Sequence, residues 1–112
     1  MALTPYELTR LAGDLATDAV EVSLHTADPG TTGANETTAA RKTPAWTNTN
    51  GTLTLSATEA FTGGAANGAV AFVGLWDTGG AHFLGGFAIT SGDTTFNAAG
   101  AYTLDNITIP FA

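Results

Sequence analysis

Between Ala69 and Ile89 the chain reads AVAFVGLWDTGGAHFLGGFAI, and apolar residues fill both alternation classes of a strand. Val70, Phe72, Gly74 and Trp76 fall on one face, and Ala71, Val73 and Leu75 on the other. Two apolar faces predict a strand covered on both sides. Asp77-Thr78-Gly79-Gly80 supplies the turn, because glycine tolerates the positive φ that a short hairpin demands. The return strand places Phe83, Phe87 and Ile89 on one face, with Gly85 and Gly86 in its middle. Glycine there predicts a bulge or the close approach of a ring, and Trp76 over Gly86 is the expected pair. This hairpin is the expected centre of the core.

Thr4-Pro5-Tyr6-Glu7 predicts a helix start, with Thr4 as cap, Pro5 in the first turn and Glu7 completing a capping box. Leu3 and Leu8 have the spacing of a hydrophobic staple, and Leu8, Leu11 and Leu15 mark one helical face. Gly13 weakens the middle, so the helix needs a surface to pack on. Either it covers an open end of its own sheet or it docks on a neighbouring subunit. From Ala19 to Thr26 the period is two, with Val20, Val22 and Leu24 inward and Glu21, Ser23 and His25 toward solvent. Residues 27–40, ADPGTTGANETTAA, carry turn chemistry throughout and no apolar anchor. A loop of that length is expected to be a binding element or a mobile arm.

Residues 41–47 hold Pro44 and two of the three basic residues, the pattern of an edge strand. Asn50-Gly51 is a hairpin signal leading into Leu53, Leu55 and Ala57. After a loop at 62–68 and the central hairpin, short strands are expected around 94–96, 101–104 and 106–111. The expected fold is all-β: an antiparallel sandwich or barrel of about seven or eight short strands with one N-terminal helix. Residues 1–18 form a helical arm and 19–112 the sandwich domain.

Composition narrows the functions. Among 112 residues, 3 are Lys or Arg and 10 are Asp or Glu, a formal charge of −7. Such a surface repels phosphate backbones, so direct nucleic-acid binding is not expected. The absence of cysteine excludes disulfides and thiolate metal sites. No apolar run approaches the roughly 18 residues of a membrane span, and MALTPYELTR lacks the basic start and apolar centre of a secretory signal. A soluble protein, used as synthesised and with no membrane partner, is expected.

Candidate chemistry is sparse. Asp77-Thr78-Gly79 matches the tripeptide with which aspartic proteases pair two carboxylates, but the same residues are ordinary in a hairpin turn. No second segment of the protease pattern accompanies it. Glu21, Ser23 and His25 share a strand face, where same-face neighbours lie roughly 6.5–7 Å apart, too far for a tight proton relay. A solvated face is the expectation. Asp28, Asn35 and Glu36 could approach a calcium ion, yet they lack the regular ligand spacing of a calcium loop. No catalytic residue, metal site or cofactor is expected.

The stretches VSLHTADPGTTGANE (22–36), Arg41 to Trp46, FVGLWD (72–77), FLGG (83–86) and Tyr102-Thr103-Leu104 together resemble a family of small virion structural proteins of actinobacterial tailed bacteriophages. The likeness spans most of residues 19–112. Relatives often carry a longer Gly/Ser-rich segment before the arginine, where this chain has only 37–40. The resemblance implies a non-enzymatic virion component. Its members are described as minor capsid or head decoration proteins and as tail or tail-fibre proteins. The acidic charge favours the outer surface of the head, away from packaged DNA. The expectation is a cement protein, made in the host cytoplasm, that binds the major capsid protein and itself as a homotrimer at threefold positions. Leu8, Leu11 and Leu15 of the helix, Asp28, Pro29, Asn35 and Glu36 of the long loop, and Arg41 and Lys42 after it are the expected contact residues. The alternative is a tail or fibre-tip module that binds another tail protein or a host-surface glycan, with an exposed Trp46 stacked on sugar.

Overall fold

A computed structural model describes residues 3–90, 92–105 and 107–110, with the side chain of Pro110 outside the description. Among these residues one α-helix, α1 (Pro5–Asp18), precedes eight strands. They are β1 (Glu21–His25), β2 (Trp46–Thr49), β3 (Thr52–Leu55), β4 (Glu59–Phe61), β5 (Phe72–Trp76), β6 (Phe83–Ala88), β7 (Tyr102–Leu104) and β8 (Thr108–Pro110). Every pairing is antiparallel. The strands form three sheets, ordered β1–β5–β6, β2–β3–β8 and β4–β7. The fold is thus all-β with one helix, and the sheets do not close into a barrel. Its principal extents are 45 × 26 × 22 Å.

The 69–89 hairpin is central. β5 runs between β1 and β6, and its turn contains a single 3-10 turn at Thr78–Gly80. Register is continuous from Phe72↔Ala88 to Leu75↔Gly85 and then shifts, so that Trp76 faces Phe83 and Leu84 is the extra residue of a bulge. The expected bulge is there, and it changes the faces. Phe83 shares the Trp76 face, where its ring meets the indole edge-on at 5.1 Å, whereas Phe87 lies opposite Val73 on the other side. The single-face reading of Phe83 and Phe87 fails because one inserted residue inverts the alternation.

The principal core lies on the Val73 side. Val22, Leu24, Val73 and Leu75 pack there with Phe61, Phe96, Tyr102, Leu104 and Ile107, all buried. Tyr102 keeps its hydroxyl satisfied by donating to the Asp93 carbonyl at 2.6 Å, and burial pushes the phenol pKa up.

α1 begins as expected, with Thr4 Oγ1 accepting from the Glu7 N–H at 3.2 Å. The box is only half built, since the Glu7 carboxylate turns to Arg10. The helix lies on its own β2–β3 hairpin rather than standing free. Asn50 and Gly51 take positive φ in that hairpin's turn, and a Cβ on Gly51 would sit 2.6 Å from Leu8 Cβ. The glycine therefore serves both the turn and the helix contact. Asn48 Nδ2 donates to the Thr9 carbonyl at 2.9 Å, and Ala12 and Leu53 are fully buried in this second packing layer.

Strand boundaries moved in three places. The expected strand at 41–47 starts only at Trp46, and Lys42 instead makes an isolated bridge with Val22. β4 was not expected. Thr95 makes only an isolated bridge with Ala69. The last expected strand is β8, and Asn106 and Phe111 lie outside the described residues.

Candidate interaction surface

The long loop after β1 is built from its own side chains. Asp28 Oδ1 accepts from the Gly30 N–H at 2.8 Å, and the Gly33 and Ala34 N–H groups both reach the Pro29 carbonyl at 3.1 Å. Asn35, at φ 64°, donates through Nδ2 to the Asp28 carbonyl at 3.0 Å. The loop then returns alongside β1. Thr26 N–H bonds the Asn35 carbonyl at 3.0 Å, Thr37 N–H bonds the Leu24 carbonyl at 2.9 Å, and Val22 and Lys42 exchange a pair of bonds at 2.7 and 3.0 Å. Residues 26–35 thus form a closed Ω-like excursion whose ends are held to one strand.

Its underside is seated on the sheet. Pro29 is fully buried, and a Cβ on Gly86 would lie 2.6 Å from its Cγ. A Cβ on Gly33 would lie 2.5 Å from the Trp76 ring. Pro29, not Trp76, covers Gly86, and the indole covers Gly33 instead. The loop also has apolar anchors in Pro29 and Ala39, which the turn-rich composition concealed.

Ser23 and His25 are not on a solvated face; both are fully buried. The Trp76 indole N–H donates to Ser23 Oγ at 2.8 Å. The Ala34 carbonyl can only accept, so His25 Nδ1 carries the proton and donates to it at 2.7 Å. In the neutral ring Nε2 is then an acceptor, and the Ser23 hydroxyl donates to it at 2.6 Å. The polar chain runs one way, from Trp76 through Ser23 and His25 to Ala34. The strand-repeat argument against Ser–His contact failed because two side chains on one pleat can lean together across that repeat. Gly74 lies directly opposite Ser23, and a Cβ there would be 2.5 Å from His25 Nε2 and 2.6 Å from Ser23 Oγ. A glycine facing a serine was the signal that this face is filled by its neighbours.

Arg41 clamps the outer end of the same network. Its guanidinium meets Glu36 at 2.8 and 2.9 Å and Glu21 at 3.2 Å, and lies 3.9 Å above the Trp76 ring. The hydrogen bonds to Glu36 raise its pKa further. A bidentate, stacked arrangement of this kind suits arginine and not lysine.

The expected contact residues therefore have different fates. Leu8, Leu11 and Leu15 are half-buried, with Leu8 against the β2–β3 turn and Leu15 against the principal core. Pro29 faces inward, Asp28 and Asn35 shape the loop while remaining exposed, and Glu36 and Arg41 hold each other. Lys42 is half-buried and forms no ion pair among the described residues. Thr26, Ala27, Gly30, Thr31, Thr32 and Ala34 complete the exposed surface of the loop.

Asp77 accepts from the His82 N–H at 2.7 Å and from His82 Nδ1 at 2.6 Å, so both its oxygens close the hairpin turn. The His82 side chain, then its backbone N–H, hold the Asp77 pKa below its ordinary value. Ser23 and His25 have the spacing of a nucleophile and its base, but the hydroxyl is sealed beneath Trp76. Asn35 bonds the Asp28 carbonyl and Glu36 pairs with Arg41, and no group of three His, Asp or Glu side chains able to hold a metal occurs among the described residues. No described helix is long and apolar enough to cross a membrane. No protein-family model, curated protein or solved structure matches the chain.

Proposed function

We propose that this chain is a non-enzymatic virion component of a tailed bacteriophage, a decoration protein that binds the outer surface of the head. One observation carries the reading. The stretch 22–36, on which the resemblance rests most, builds a closed loop and braces it from beneath. Ser23, His25, Pro29 and Gly33 fix the underside, and Gly30, Thr31 and Thr32 are presented outward. A loop held in shape before it meets a partner loses less conformational freedom on binding. Seated at a junction of major capsid subunits, it would add buried area to each junction and resist the outward pressure of the genome. The formal charge of −7 favours the outside of the shell over its DNA-facing side.

The glycan-binding alternative needed an exposed Trp46. Trp46 is half-buried against the core and donates its indole N–H to the Ala19 carbonyl at 3.1 Å. Trp76 is covered by Arg41 and by the loop. The partial burial of Trp46 and the cover over Trp76 weigh against sugar stacking.

Cryo-EM of the intact virion tests the proposal. Regular density for this chain on the outer head lattice is expected, with residues 30–32 at the capsid contact. Density confined to the tail would overturn it. A Thr31→Arg/Thr32→Glu variant, both positions being exposed, should fold normally and bind emptied heads at least about tenfold more weakly, a change of about 1.4 kcal/mol.

A further inference from the structure

The two edges of the β1–β5–β6 sheet are treated differently. Along β1 the outward groups are taken, since Val22 bonds Lys42 and the Leu24 carbonyl accepts from Thr37. Among the described residues β6 has no strand beyond it. Ile89 N–H points inward, to the Ala71 carbonyl at 2.9 Å. Antiparallel alternation then turns Phe87 and Gly85 inward, and leaves the N–H and C=O groups of Gly86 and Ala88 and the C=O of Leu84 facing out, up to the bulge that interrupts the alternation at Leu84. Soluble proteins guard such an edge with charge, proline, a bulge or a covering segment, and of these β6 carries only the bulge at Leu84. Here the chain from Thr78 to Gly92 contains no Asp, Glu, Lys or Arg, although the molecule as a whole is strongly acidic.

We propose that β6 is the pairing edge for a second copy of this chain. The dimer would be two-fold, with β6 antiparallel to its counterpart about Gly86, giving one continuous six-stranded sheet. This register sets Gly86 against Gly86, Leu84 against Ala88 and Phe87 against Gly85, so each large side chain meets a small one. It also brings the outward groups of Leu84, Gly86 and Ala88 into hydrogen-bonding pairs. Two acidic molecules would meet along a strand that carries no net charge, which avoids like-charge contacts along the paired strands. An apolar cleft of about 390 Å³, lined by Phe87, Ile89, Leu104 and Ile107 among others, opens beside the end of the strand and could instead take a side chain from an unrelated protein. The size-matched register favours the second copy. The proposal does not depend on where in the virion the chain resides. It replaces the threefold self-association that the resemblance implies.

The test is the solution mass of the full chain. Sedimentation up to about 1 mM should show a reversible species of twice the 11.3 kDa chain mass. Leu84→Lys, at an exposed position, should retain the fold by circular dichroism and weaken dimerisation at least about tenfold. The chain has no native cysteine, so register can be read directly. Leu84→Cys chains mixed with Ala88→Cys chains should form a disulfide-linked heterodimer, and neither variant alone should crosslink. A monomer at every concentration, a mass of three chains, or crosslinking of Leu84→Cys with itself would each overturn the proposal.

Discussion

The two faces of the β1–β5–β6 sheet are both covered, but by different physics. On the Val73 face, Val22, Leu24, Val73, Leu75 and Phe87 meet side chains from β4, β7 and the 96–107 region in a non-directional apolar core. Opposite it, Ser23, His25, Gly74, Trp76 and Phe83 lie under a loop, and directional hydrogen bonds decide the arrangement of the polar groups. Burial on the first face stabilises in proportion to area and tolerates changes of shape. On the second, each donor has one acceptor, so loss of one group leaves its neighbours unpartnered in a place water does not reach. The first face should therefore govern global stability, and the second the order of the loop.

Leu24→Ala is the strongest test of the first half of that contrast. Leu24 is fully buried, and truncation should cost about 2–5 kcal/mol, including the cavity left behind. Urea unfolding should show a lowered midpoint with one cooperative transition. Loop amides should lose protection only in step with the rest of the chain. Selective loss at residues 26–35 would show that the two faces are not energetically separate.

Ser23→Ala probes the other face. It removes the group that accepts from Trp76 and donates to His25, leaving an indole N–H and an imidazole nitrogen without partners. A cost of about 1–3 kcal/mol is expected. The diagnostic readout is local: hydrogen exchange in residues 26–35 should accelerate more than that of β5. Equal acceleration everywhere, or none, would deny the chain of bonds its role in holding the loop.

The contrast also explains what could be read from the sequence. The apolar face follows simple alternation, so Val22, Leu24, Val73 and Leu75 were assigned to the interior from spacing alone. Spacing and turn residues also predicted a scale of seven or eight short strands, the hairpin turn and the capped helix. The polar face was misread because period-two logic sends Ser23 and His25 to solvent whenever their partners are distant in sequence. Those partners are Trp76, 53 positions away from Ser23, and the carbonyl of Ala34 inside a loop of turn residues. Backbone acceptors leave no mark on composition. The bulge at Leu84 similarly put Phe83 and Phe87 on different sides, a change that pattern cannot locate more closely than the Gly85-Gly86 pair. At the candidate surface, the loop was recognised from its length, while the division between bracing and outward residues required the fold.

The smallest expected effect lies where the polar network ends, in the turn after Trp76. Asp77 closes that turn on His82, and the His82 side chain contributes most to lowering its pKa, followed by the backbone N–H. A carboxyl whose folded pKa is depressed gives a stabilisation that is complete above its ordinary value of 3.8 and is lost as pH falls through the lower folded value. The turn should accordingly stay closed from neutral pH to about 4 and loosen only below that. His82 is exposed and Asp77 half-buried at the surface, so the change should be confined to the turn and leave the Ser23–His25 chain intact. Carboxyl-carbon NMR titration should place the Asp77 midpoint below that of a model peptide, and His82→Ala should move it back up toward the ordinary value. An unchanged midpoint in that variant would mean that the histidine does not hold the turn. Loop amides that respond at the same pH would instead make the turn part of the polar face, and the boundary between the two halves of the sheet would have to be redrawn at Asp77.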